Sequence, residues 1–420
     1  MTTTVRLPLV NRDRLLQSIE DLSNIGRLPQ GGVRRIAYSP EDCQARHWIH
    51  GQMRDSGMDV RIDTAGNIIG RYPGQQDDLP VLATGSHIDT VPSGGRYDGA
   101  FGVLAGIEVV RSLHDQGHRL HHPIEVMVFT DEEGSMIGSK GISGRVFPDP
   151  EYYRRPNGEA IQTCLARIGG NWDYIKQAQR QPDEIAAFIE LHVEQGPILE
   201  SMEKQIGVVE GVVGQHRYQI TVLGQENHAG TTPMYMRCDA LVAAAKVVLA
   251  VNEIATMPGQ QVATVGQMQV YPNAANVVPG KVEMSLDIRD LSNLHIDRLL
   301  AQLHLHIQEI AIATNTKISF ERRLRNEPAL AETHLQDMIA QVSEGLNLSY
   351  TYLPSRASHD AQELANVTDM GMIFVPSESG LSHSELEYTS PDECVQGANV
   401  LLHTLIRCDR HYLNPDRATS

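Results

Sequence analysis

Two hydrophobic rhythms divide this chain. Up to about residue 210, short apolar runs alternate with segments of helical spacing. Leu15, Leu16, Ile19, Leu22 and Ile25 recur at helical intervals behind Asn11, a capping side chain, and stop at Gly26. Ser39-Pro40-Glu41-Asp42 starts a second helix with a cap hydroxyl, proline at the first position and acids in the first turn. It should end near Ser56-Gly57, ahead of short strands around 60–62 and 67–72 that turn at Ala65-Gly66. Val81-Leu82-Ala83-Thr84, Pro123 to Phe129 and Ala186 to Leu191 are largely apolar, as strands covered on both faces are. A helix from Ala100 to about Leu113 separates the first two, and 147–181 reads as loops with a short helix.

From about Gly207 the period changes. Tyr218 to Leu223 and Lys281 to Arg289 alternate apolar with polar residues, the mark of antiparallel strands with one wet face. Helices over 237–256 and 292–314 interleave with them, a strand-helix-strand-strand-helix-strand order. After Asn326-Glu327-Pro328 the first texture returns and closes in a helix from Pro391 to about His411. The expected class is therefore α/β, with a mixed, mainly parallel sheet covered by helices over residues 1–210 and 328–420. Residues 211–327 form an inserted α+β sandwich.

Composition narrows the partners. With 35 Lys and Arg against 52 Asp and Glu, the net charge of −17 argues against nucleic acid or an anionic membrane as partner. A small anionic substrate stays open, because a local arginine overrides the global field. Five scattered cysteines (Cys43, Cys164, Cys238, Cys394, Cys408) without CxxC spacing point to reduced thiols and a cytoplasmic location. Cys238 is expected as a small core residue of an apolar helix. The Met1-Thr2-Thr3-Thr4-Val5-Arg6 start lacks a signal-like apolar stretch, and no run approaches the roughly 18 apolar residues that span a bilayer.

Polar residues gather where the apolar runs end. His87 and Asp89 follow the first, with Asp98 beyond a glycine-rich turn; Glu132-Glu133 follow the second; His192 closes the third. His383 comes after Met372-Ile373-Phe374-Val375. Singly, each reads as a polar loop or a satisfied core histidine. Strand ends of an α/β sheet share one crevice, however, so convergence explains all of them together. Three imidazoles, Asp98 and Glu133 suit two divalent cations bridged by one carboxylate: zinc or manganese, with cobalt or nickel as further fits. Glu132 is left over as a general base for a water acidified between them. Asp89, two residues from His87, suits a partner that orients its ring.

Four segments carry a resemblance. Gly85-Ser86-His87-Ile88-Asp89-Thr90-Val91, Asp131-Glu132-Glu133-Gly134-Ser135, Leu191-His192-Val193-Glu194-Gln195-Gly196-Pro197 and Asn227-His228-Ala229-Gly230-Thr231-Thr232-Pro233-Met234 resemble the amidase/carbamoylase branch of the M20 metallopeptidase-like enzymes. That branch holds N-carbamoyl-L-amino-acid hydrolases, allantoate amidohydrolases and β-ureidopropionases. The resemblance implies one metal on His87, His192 and bridging Asp98, a second on Glu133, His383 and the same Asp98, and Glu132 as base. It further implies a lid and dimerisation role for the insert, giving a homodimer. Arg289 and Asn276 would hold a substrate carboxylate, His228 would stabilise the transition state, and Gln195 and Gln215 would line the substrate. The expected substrate is a small ureido or carbamoyl carboxylate; dipeptidase or aminoacylase activity, or a non-catalytic metal-binding relative, are the alternatives.

The chain also departs from its branch. Many members have Gly-Ala-Gly-His-Asp-Ala where this chain has Arg356-Ala357-Ser358-His359-Asp360-Ala361, and the frequent Asn-Pro after His383 is Ser384-Glu385 here. These changes bear on substrate choice more than on metal chemistry.

Overall fold

A computed structural model describes residues 8–413. The chain divides into two compact units: one runs to Gly211 and resumes at Leu330, the other is Val212–Ala329. The expected insert was 211–327.

The first unit is built on a nine-stranded sheet. Its centre is four parallel strands, in the order Ile124–Phe129, Val81–His87, Ile185–Val193, Asp369–Val375. Antiparallel strands flank them, among them the predicted hairpin of Asp59–Ile62 and Ile68–Tyr72. The Val81–His87 and Ile124–Phe129 strands are buried at every position, which explains why both are mostly apolar, with Glu125 as the one charge inside the second. Leu15, Ile49, Leu104, Val110, Leu335 and Leu401 belong to the core that covers the sheet.

The helix ends obey local chemistry. Asn11 caps Arg12–Ser23 by accepting from the Arg14 main-chain N–H, and Ser39 caps Pro40–Asp55. Ser390 and Glu393 close a reciprocal capping box on Pro391–Tyr412. Connectivity then places the crevice. From Val81–His87 the chain crosses through the Ala100–Asp115 helix to Ile124–Phe129 on one side, then returns to Ile185–Val193 on the other. The carboxyl ends of these strands therefore open at a point where the winding reverses, the usual place for a binding crevice.

In the second unit, Gly214–Leu223 lies between Lys281–Asp290 and Lys317–Asn326, all antiparallel. Burial alternates strictly along Lys281–Asp290, its apolar side packing with helices Ala240–Ala255 and Asn293–Thr314. One expectation fails here. Cys238 precedes the helix, which Asp239 caps, and its partly exposed thiol accepts from Asn315 Nδ2 at 3.2 Å. All five cysteines are free. Among the described residues, no helix is long and apolar enough to cross a membrane.

His121 and His122, which carry no sequence signal, both bond the buried Asp409 carboxylate at 2.9 Å. Burial alone would raise that carboxyl, but bonds from the His122 ring and main chain and from His121 hold it at about 2. Its folded value lies below the unfolded one of about 3.9. The resulting stability is present above the unfolded value and lost as pH falls through about 2. Asp409→Asn should cost on the order of 2 kcal/mol at pH 7. Denaturant midpoints of the two proteins should converge as pH approaches that range; a gap independent of pH would refute the linkage.

Candidate metal centre

Four strand ends deliver the candidate side chains. His87 is the last residue of its strand, and His192 is next to last on the neighbouring one. Glu132 and Glu133 follow Phe129, and His383 sits in the loop after Val375. The exit after His87 is held by buried Arg35, whose guanidinium donates to the Ile88 carbonyl at 2.6 Å and to the Leu22 and Ile25 carbonyls. Asp98 returns to His87 because Gly99 follows it. Gly99 has φ +63°, and a Cβ there would collide with the His87 imidazole.

Asp98 is the hub. Its Oδ1 lies 3.3 Å from His192 Nε2 and 3.8 Å from His87 Nε2, and its Oδ2 lies 3.3 Å from His383 Nε2. His383 Nε2 is also 3.3 Å from Glu133 Oε1. Ligand atoms of His87, Asp98 and His192 lie within 4.8 Å of one another, as do those of Asp98, Glu133 and His383. Glu132 Oε2 stands 3.5 Å from His87 Nε2 without joining either group. Its position is that of a base beside the ligands.

The donor set suits divalent cations on electrostatic grounds. His87 Nδ1 donates to the Asp89 carbonyl at 3.0 Å and His192 Nδ1 to the Val193 carbonyl at 2.8 Å. Each Nε2 thereby faces Asp98, the tautomer that metal binding needs. Burial pushes the Glu132 carboxyl well above its usual range, and Asp360, Glu133, Asp89 and Asp98 push it further. Burial also works against charge on Asp98, but hydrogen bonds from His192 and His383 hold it well below the usual carboxylate range. His383 is raised to about 10 by its bonds to Asp98 and Glu133. His192 reaches about 9 because the Asp98 bond and charge outweigh its burial. Crowded carboxylates that draw protons onto neighbouring imidazoles make a strong field for a cation.

Two of the candidates make contacts that their sequence positions do not indicate. The Asp89 carboxylate is 3.8 Å from His87 Nδ1, too far for a hydrogen bond. It accepts instead from the main-chain N–H groups of Glu132 and Glu133, both at 3.3 Å, while its carbonyl holds the histidine. Asp89 thus fixes the two glutamates as well as the ring. Gln195, expected against substrate, donates to Asp98 Oδ2 at 3.0 Å from a left-handed backbone, φ +57°. A cavity of 390 Å³ lined by Asp89, Glu133, Tyr152 and Arg155 adjoins these groups, room enough for a small molecule.

The remaining candidates lie in the second unit, in two places. Arg289 and Gln215 are paired across adjacent strands on its polar sheet face, and both donate to Asp287, at 2.8 and 2.5 Å. His228 and Asn276 meet in a two-stranded ribbon, where His228 pairs with Val277 and the Ala229 N–H donates to the Asn276 carbonyl. Both side chains are exposed.

Several buried groups escaped sequence reasoning. Glu190, fully buried, accepts from Ser86 Oγ at 2.7 Å and the Ala361 N–H at 2.8 Å. His359 stacks edge-on against His192, centroids 4.5 Å apart, and shares a candidate ligand group with Glu190 and His192. A charge inside the apolar run Phe188-Ile189-Glu190-Leu191 was the available signal. Ser382 and Glu387, in a polar loop, offered none.

Comparison with known proteins finds relatives along nearly the whole chain. The profile of peptidase family M20/M25/M40 matches residues 83–407. An N-carbamoyl-L-amino acid amidohydrolase of Geobacillus stearothermophilus is 38% identical over 402 residues, covering 94% of this chain and 98% of its own. An allantoate amidohydrolase of Bacillus subtilis is 33% identical over 407 residues, covering 94% and 97%. The crystal structure of a hydantoinase/carbamoylase family amidase from Burkholderia multivorans matches with a TM-score of 0.89 at 38% identity, covering 96% of this chain and 99% of that one.

Proposed function

The chain belongs to peptidase family M20/M25/M40, and on that premise we propose that it is a metal-dependent amidohydrolase cleaving the carbamoyl (ureido) C–N bond of a small carboxylate substrate. An N-carbamoyl-L-amino acid or allantoate is the expected substrate, as the names of its relatives suggest. The observation that carries this reading is the pair of ligand groups sharing Asp98, with Glu132 beside them.

In this reading His87, Asp98 and His192 hold one divalent cation and Asp98, Glu133 and His383 another. A zinc or manganese ion held there, or cobalt or nickel, would supply Lewis-acid polarisation and would lower the pKa of water. Glu132 takes a proton from the attacking water and returns it to the departing nitrogen, so that ammonia leaves. The carbamate loses carbon dioxide and yields the amine. Asp89, bonded to the main chain of both glutamates, keeps base and ligand in register. Gln195 and Ser382 hold Asp98 Oδ2.

Arg289 binds the substrate carboxylate, with Asn276 as second donor, His228 as donor to the developing oxyanion and Gln215 lining the substrate. Asp287, which accepts from both Arg289 and Gln215, orients that pair. Arg289→Lys keeps the charge but loses the planar fork. It should raise KM roughly 10- to 100-fold, the worth of one charged hydrogen bond, with a much smaller change in kcat. An unchanged KM would remove Arg289 from the site. The second unit exposes Leu249, Leu305 and Ile312 on its helices, which supports a homodimer formed through it. Sedimentation as a monomer at micromolar concentration would exclude that.

Ammonia release from a panel of N-carbamoyl-L-amino acids, ureidopropionate and allantoate, with added manganese, tests the activity. Release from at least one is expected. Cleavage of dipeptides or N-acyl amino acids alone would overturn the ureido assignment.

A further inference from the structure

Glu387 is a buried carboxylate that joins neither of the ligand groups built on Asp98. Its Oε1 accepts from the main-chain N–H groups of Tyr97 at 2.8 Å and Asp98 at 3.1 Å. Its Oε2 is 3.2 Å from Ser382 Oγ, and that hydroxyl is 3.3 Å from Asp98 Oδ2. One side chain thus joins the turn carrying Asp98 to the loop carrying His383, segments that lie some 285 residues apart in sequence. The turn is shaped to admit it: a Cβ at Gly95 would collide with Glu387 Oε1. Outside this tie lies a second. Glu385 Oε1 accepts from Ser93 Oγ at 2.6 Å and Gln30 Nε2 at 2.9 Å.

The two ligand groups differ in what holds them. His87 and His192 stand on adjacent core strands, whose ladders set their spacing. His383 stands on an irregular loop, in a left-handed backbone with φ +52° and a half-exposed side chain. No ladder fixes its distance from Asp98. Burying a second carboxylate beside Asp98 is electrostatically unfavourable. Such a cost is kept where the group has work to do.

We propose that Glu387 is a positioning residue that sets the His383 loop against Asp98, and so selectively determines cation affinity at the Asp98–Glu133–His383 group. It touches neither metal nor substrate, and its role rests on the two-cation reading above. The half-buried Glu385 tie is auxiliary.

The test is cobalt(II) titration of metal-free protein, followed by calorimetry and visible absorption, with melting temperature as the control. His383→Ala serves as the reference for a lost second group. Glu387→Ala should weaken one of two cobalt steps by roughly 10- to 100-fold, as loss of an outer partner of a metal ligand does, and its spectrum should approach that of His383→Ala. The other step should hold. Glu387→Gln keeps an oxygen for the Tyr97 and Asp98 N–H groups and should recover most of the loss. If the wild type takes up no cobalt, the two-cation reading fails and Glu387 falls with it. Two normal steps in both wild type and Glu387→Ala would overturn the positioning role alone. Equal weakening of both steps, or no recovery by glutamine, would also overturn it. Should the alanine variant not fold, Ser382→Ala leaves the main-chain bonds intact and should weaken the same step; an unaltered step would count against the proposal.

Discussion

Glu132→Gln is expected to lower the turnover of the ureido substrate by roughly 10²- to 10⁴-fold, the worth of a general base. The glutamine keeps the volume of the side chain and its place 3.5 Å from His87 Nε2, but it cannot take a proton. Because Glu132 belongs to neither ligand group, divalent metal content should not change, and KM should change little. Burial and four neighbouring carboxylates make Glu132 a poor place for a lone negative charge. Its retention there is economical only if cations offset the repulsion. A variant with full ammonia release would eliminate Glu132 as the base. Loss of metal along with activity would move it into the ligand set.

Asp98→Asn should have the broader effect. Both ligand groups pass through this carboxylate, each of its oxygens facing a different pair of side chains. An amide of the same shape keeps one acceptor but no charge. Metal analysis should therefore show both cations weakened by more than about 100-fold, beyond the range seen for outer partners, and activity should fall to background. Loss of one cation with the other retained would show that Asp98 does not bridge. Circular dichroism and melting temperature separate this outcome from unfolding, since the side chain sits at a strand-end turn outside the apolar core.

Much of the architecture was legible because local chemistry specified it. The Asn11, Ser39 and Ser390 caps act within one helical turn, so residue type and spacing place them. The strict alternation of Lys281–Asp290 and the unbroken burial of Val81–His87 follow from how many sheet faces are covered. Cys238 was misplaced because an apolar stretch does not reveal where the cap falls, and Asp239 starts the helix just after it.

Residue chemistry at the strand ends, together with family membership, determined which side chains gather. One histidine or carboxylate pair after a buried strand has a bland explanation, but four such strand ends opening on one crevice do not. How they are held was decided only by the tertiary structure. Asp89 meets His87 Nδ1 by its carbonyl at 3.0 Å while its carboxylate stands 3.8 Å away, a choice made by the path of the strand exit and not by residue type. Gln195 turns to Asp98 because its backbone is left-handed, and Glu387 reaches Asp98 because folding brings a remote loop against the turn. Sequence encodes ligand type through short-range patterns. The supporting shell depends on directional hydrogen bonds between segments far apart in the chain, and those have no period to read.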